Sequence, residues 1–215
     1  MTERVLYLKG HTTKTLIDGV RVFAYVLIFA IGSFIGCGGP NLDDPKVREK
    51  LLMEAVDENN LQSRQSPSGE ELHYAPNQEK PYTGWVKRDR SLRQFQRGEP
   101  NGTFISWHVN GQISEKVTFK DGKLHGVGVE WYENGQKRSE VTYKNGDLDG
   151  MWIEWYENGQ KRSEGKYRNG KKEGPWTDWH ANGQKKREGS YKNDNEDGVW
   201  TEWDENGEVL QNPDH

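Results

Sequence analysis

Cysteine is nearly absent from this sequence: Cys37 is the only one in 215 residues. A single thiol excludes an internal disulfide framework and supplies at most one zinc ligand. Aliphatic side chains are scarce as well. Hydrophobic residues of every kind make up 31% of the chain and the mean hydropathy is -1.09, which excludes a thick oily core. No long block of one charge occurs: 30 basic and 34 acidic residues are interspersed and leave a net charge of -4. Without a basic stripe, nucleic acid is not the expected partner. The histidines never fall at zinc-ligand spacing, so neither a metal nor a cofactor is expected.

What the chain has in quantity is aromatic rings, 11% of residues with nine Trp. That is too aromatic for a disordered chain, which lacks large residues to bury. Rings carried on strands must supply the packing.

The rings recur in step. Asn-Gly pairs stand at 110–111, 134–135, 158–159, 182–183 and 206–207, an interval of 24 each time. Gly102, Gly126, Gly150, Gly174 and Gly198 keep the interval. So do Trp107, Trp131, Trp155, Trp179 and Trp203, and the ring series Phe95, Phe119, Tyr143, Tyr167 and Tyr191. Four positions holding one period mark a repeat array. Residues 81–98, PYTGWVKRDRSLRQFQRG, read as a shortened first unit.

Within a unit the pattern alternates as strands do. MWIEWY is an aromatic strand, NG a hairpin turn and KRSEGKY the return strand. NGKKEG turns the chain into the next unit. Each repeat is then one β-hairpin, and successive hairpins extend one antiparallel sheet. A two-residue turn at Asn158-Gly159 with both residues at positive φ sets Glu154 against Ser163, Trp152 against Gly165 and Gly150 against Tyr167. In this preferred register rings face glycines, and Gly126, Gly150, Gly174 and Gly198 are structural. A three-residue turn with a bulge at Gly159 would instead set Glu154 opposite Arg162 as an ion pair. At the far end, Val209 and Leu210 replace a basic pair and are expected to dock on their own hairpin.

Ahead of the array, Asp44-Pro45 places an N-cap before a proline at the first helical position. Val47, Leu51, Leu52, Ala55 and Val56 follow at helical spacing, predicting a short amphipathic helix that covers an end of the array. QSPSGE (65–70) predicts a turn between two short strands. Val22–Gly36 is uncharged, follows several basic residues and spans roughly 22 Å as a helix, short of the ~30 Å hydrocarbon layer. That is the signature of a secretion signal.

Two resemblances add to this reading. The FIGCGGP stretch resembles a bacterial lipoprotein lipobox, with Phe34 where leucine is usual. It implies cleavage after Gly36 and lipidation of Cys37, placing the chain on a membrane of the cell envelope. The implied organisation is a signal peptide over 1–36, a tether, helix and entry hairpin over 37–80, and a repeat domain over 81–215. The motif G-x-W/G-x-x-W-Y/H-x-N-G-Q, ending in Y-x-N-G, resembles the MORN-variant repeat, and among bacterial proteins the YwqK-type antitoxins. It implies an all-β, elongated, single-layer antiparallel sheet that binds another protein; neutralising a toxin is the alternative.

The candidate chemistry is sparse. Glu130, Glu154, Asp178 and Glu202 form a carboxylate ladder at the repeat interval. Adjacent units about 10 Å apart put them at the edge of the ~5–9.5 Å used in glycoside hydrolysis, and a periodic position is the opposite of a unique site. The chain is therefore read as a binding scaffold and not an enzyme. Trp131, Trp155, Trp179 and Trp203 are the candidate protein-binding residues, because exposed rings flanked by charge suit protein recognition. Stacking on sugars is the other use of such a row.

Overall fold

A computed structural model describes residues 39–210. Cys37, the apolar run before it and the QNPDH tail lie outside the described residues. The chain divides into Met1–Pro40 and Asn41–His215. No described helix is long and apolar enough to cross a membrane.

The array is an all-β sheet whose strands pair in sequence order from Gly84–Arg88 to Asn195–Glu196, with the two-residue strands Lys123–Leu124, Lys171–Lys172 and Thr201–Glu202 paired off this path. All these neighbours are antiparallel; Val56–Asp57 adds one parallel bridge to Gly84–Arg88 at the first edge. The shortened first unit is a hairpin of Gly84–Arg88 and Ser91–Gln96. Gln62–Gln65 and Glu71–Tyr74 form the small entry hairpin.

The body of each hairpin has the preferred register: Gly150 opposes Tyr167, Trp152 opposes Gly165, and Glu154 opposes Ser163. The turn is not the one that register assumed. Gly159 N–H donates to Tyr156 O at 2.9 Å and Tyr156 N–H to Gln160 O at 2.8 Å, which closes a three-residue loop. Only Gly159, at φ +83°, is left-handed. Trp155 therefore pairs with Lys161, and a bulge at Arg162 restores the register behind it. Asn158 stays out of the left-handed region because its side chain has other work. Its Oδ1 accepts from Gln160 N–H at 3.0 Å, and its Nδ2 donates to Ala181 O of the next unit at 2.8 Å. The bulge also brings Arg162 to 3.7 Å from Glu154, the ion pair of the other register. The two-residue turn lies at the opposite edge of the sheet. There Asn169 and Gly170, at φ +50° and +77°, join Arg168 to Lys171, as the mirror-image hairpin turns require.

Both edges are stitched from one unit to the next. Asn110, Asn134 and Asn182 repeat the Asn158 bond onto the following loop. Tyr132 and Tyr156 donate their hydroxyls to Trp155 O and Trp179 O at 2.8 and 2.9 Å. At the other edge, Gly146 and Gly170 N–H donate to Leu124 O and Leu148 O. These bonds satisfy loop and strand-end groups by tying each unit to its neighbour.

The helix, Pro45–Glu54, starts where Asp44 accepts from Lys46 N–H at 2.8 Å. It lies on one face of the sheet over the first strands of the array, as expected of a helix covering an end, and not across the outermost edge. Leu42, Leu51 and Ala55 cover Leu92, Ile105 and Trp107, and this is the principal buried cluster. Leu92 and Ile105 point to that face and have no exposed surface. That edge is closed by the parallel bridge. At the far terminus Trp203 bridges Val209 and Leu210 N–H donates to Glu202 O, while both of those side chains stay exposed.

Candidate functional site

Alternation along the strands separates the rings onto two faces. Trp107, Trp131, Trp155, Trp179 and Trp203 occupy one phase of the repeat. Phe104, Gly128, Trp152, Trp176 and Trp200 occupy the other, three residues earlier and on the opposite face.

On the first face only Trp107 is buried, because the helix sits over it and Arg48 lies 5.3 Å above the ring. Trp131, Trp155, Trp179 and Trp203 are half-buried. Each of the last three carries the ammonium of the preceding unit's lysine over its ring, Lys137, Lys161 and Lys185, at 5.6–5.7 Å. Those lysines pair in turn with Glu140, Glu164 and Glu188. The result is a strip of indole, ammonium and carboxylate repeated once per unit. Trp131 has Ile113 where the later units have lysine. It lines a groove of about 390 Å³ with Ile113, Leu42, Pro45 and Arg48, where the helix begins.

The second face is a stack. Trp176 is 3% exposed, lies 5.2 Å from Trp152, and meets Tyr167 and Tyr191 edge-on. Its Nε1 donates to Ser163 Oγ at 3.0 Å and Asp178 Oδ1 at 3.2 Å. The ring that covers Gly165 is Trp176 of the following hairpin, and not its own cross-strand partner Trp152. Gly126, Gly150, Gly174 and Gly198 do not serve as seats for rings. All four take positive φ, where glycine is favoured.

The row is interrupted at Gly128. There a cavity of about 200 Å³ opens, walled by Val117, Val141, Tyr143 and Trp152 and edged by Glu115, Glu130, Glu154 and Ser139. Three of these residues come from the carboxylate ladder and its cross-strand partner, for Glu115 directly opposes Glu130. Burial pushes the Glu115 carboxyl up, the Glu130 charge adds to this, and Arg93 offsets part of it. A carboxyl raised in the folded state loses stability as the pH climbs through that raised value. Glu115→Gln should therefore be more stable than the parent at pH 7 in urea denaturation. The gain should shrink toward nothing as the pH falls below the ordinary value of 4.5.

His108 and His180 stand in the phase of Tyr132 and Tyr156 and do the same job. Their Nε2 atoms donate to Trp131 O and Trp203 O at 2.8 and 2.9 Å. They are replacements for a tyrosine hydroxyl between units. Among the described residues no three His, Cys, Asp or Glu gather as metal ligands.

The notch at Gly128 has a signal in the sequence that the repeat motif conceals. The motif allows Trp or Gly at this position, which treats a missing ring as an equivalent residue.

Comparison with known proteins matches the MORN repeat variant at residues 100–121, 124–145, 148–169, 172–193 and 196–211, five consecutive units. No curated protein matches the chain. Among solved structures, a point mutant of S. aureus TarM in complex with fondaparinux, alpha-GlcNAc-glycerol and UDP is similar at 14% identity and a TM-score of 0.26. The match covers 63% of this chain and 24% of that one, too loose a likeness to bear on fold or function.

Proposed function

We propose that this chain, which carries five consecutive MORN repeat variant units, is a non-enzymatic scaffold that binds another protein at the bacterial envelope. The observation that carries this reading is the unequal covering of one tryptophan row. The chain's own helix lies on the first member, Trp107, and the four equivalent members beyond it stay half-exposed. A row of one residue type, open at regular spacing beside a segment already docked on it, favours a partner that docks in the same way. An amphipathic helix with apolar residues toward the indoles and acidic residues toward Lys137, Lys161 and Lys185 has the matching chemistry. Indoles in such surfaces typically dominate binding. The membrane would be reached through a lipid on Cys37.

The test is capture from host membranes by the full chain against the Trp155/Trp179/Trp203→Ala variant. A partner held by the parent should bind the variant at least tenfold more weakly, about 1.4 kcal/mol, with the circular dichroism of the sheet retained. Equal retention by both proteins would sink the reading. An antitoxin role would use the same surface, and the captured partner would then be a toxin.

A further inference from the structure

Each unit of the array places a carboxylate across the sheet from the residue at the phase of 115, 139, 163 and 187. In the last units that carboxylate meets a donor. Asp178 receives the Ser163 hydroxyl and the Trp176 indole. Glu202 receives the Arg187 guanidinium at 3.3 Å, and this guanidinium also lies 3.9 Å over the ring of Trp200. The unit around Gly128 breaks the rule twice. Glu130 faces Glu115, acceptor against acceptor, and the indole that would have donated is absent.

What remains is a cavity edged by three carboxylates, Glu115, Glu130 and Glu154; of the donors that line it with them, the Ser139 hydroxyl is given to Glu130 at 3.2 Å. Directly opposed like charges destabilise a sheet unless something comes between them. The cations already present do not enter. Arg138 and Arg162 reach Glu130 and Glu154 from outside at 3.8 and 3.7 Å, with side chains more than half exposed. Arg93 lies over the rings of Phe104 and Phe119 at 5.0 and 5.4 Å; its charge is felt at Glu115 but it does not line the cavity. Tyr143 and Trp152 offer aromatic walls, and cations favour such faces.

We infer that the notch at Gly128 binds a guanidinium group, held by Glu115, Glu130 and Glu154 against Tyr143 and Trp152, and supplied by an arginine side chain of a partner protein. Arg187 on Trp200 with Glu202 is the template for it within the same chain. A planar donor fork matches carboxylates in a way that a rounded ammonium does not. The site lies on the face opposite the half-exposed tryptophans and stands independently of them.

The probe is N-acetyl-L-arginine amide, titrated into the full chain in detergent and followed by two-dimensional NMR at the Trp152 indole N–H. A saturable shift with an affinity on the order of millimolar is expected. N-acetyl-citrulline amide, of the same shape without charge, should produce none. Free L-arginine should bind more weakly than the amide, because its carboxylate is repelled by the three glutamates. Glu115→Ser, which installs the residue found at 139 and 163, should weaken the amide about tenfold with the fold unchanged. Val117→Gly with Gly128→Trp copies the Gly165 and Trp176 pair and should abolish binding by filling the space. The inference is overturned by no saturable shift, by citrulline binding as well as arginine, or by Glu115→Ser binding as the parent does. Tighter binding of free arginine than of the amide would overturn the assignment to a partner's side chain.

Discussion

Gly165→Ala should destabilise the chain by about 3 kcal/mol, although it adds a single methyl group to a strand. Alanine ordinarily gains on glycine, because glycine has more conformational freedom to lose on folding. Here the backbone of Gly165 is extended and imposes no such requirement. The obstacle is the neighbour: a Cβ would stand 1.9 Å from Cε3 and 2.4 Å from Cζ3 of Trp176. The indole cannot easily yield, since its nitrogen is bonded to Ser163 and Asp178 and its ring lies against Trp152. Urea denaturation of the purified chain gives the sign directly. A neutral or stabilised Gly165→Ala protein would mean that Trp176 is not seated over that strand.

The second large effect comes from Trp176→Ala, expected to cost about 3–5 kcal/mol as a buried ring is removed. Trp155→Ala, on the other face and half-exposed, should cost about 1 kcal/mol, since less surface returns to water. Comparable losses at the two positions would contradict the division of the sheet into one packed aromatic stack and one open strip. The two large predictions are also coupled. With Trp176 truncated, the methyl group of Gly165→Ala has room, so the double variant should be no less stable than Trp176→Ala alone. Simple addition of the two losses in the same urea experiment would show that the ring and the glycine do not meet.

The period, the hairpin per unit and the antiparallel order were legible in the sequence because rings, glycines and Asn-Gly pairs all keep one interval. So was the register of the strand bodies, where Trp152 meets Gly165. The turns were exchanged for a physical reason. Each unit has two turn sites, both written Asn-Gly in the unit of Asn158 and Asn169, and dihedral angles depend on how many residues the flanking strands leave over. At Asn158-Gly159 a bulge at Arg162 absorbs one residue, so two competing registers are both present, one at the loop and one behind it. At Asn169-Gly170 no residue is left over, and the tight turn forms there. The helix could be read from Asp44-Pro45 and its spacing. Its seat could not, because Leu92 and Ile105 look like ordinary strand residues until the sheet shows them pointing to one face. The notch was written plainly as Gly128, but a consensus averages over the very position where one unit differs from its neighbours.

Cross-unit stitching sets a rule for length. Asn158 reaches Ala181 and Tyr156 reaches Trp179, and at the far edge Gly170 reaches Leu148. These reaches are fixed by strand spacing, so an insertion of a few residues inside a strand would break the ties of that unit to its neighbours. Whole hairpins can be added or removed while leaving each remaining tie intact. The array is in this sense a ruler with a single graduation, able to grow or shorten in its genome by duplication and loss of entire modules but poorly able to drift by single codons.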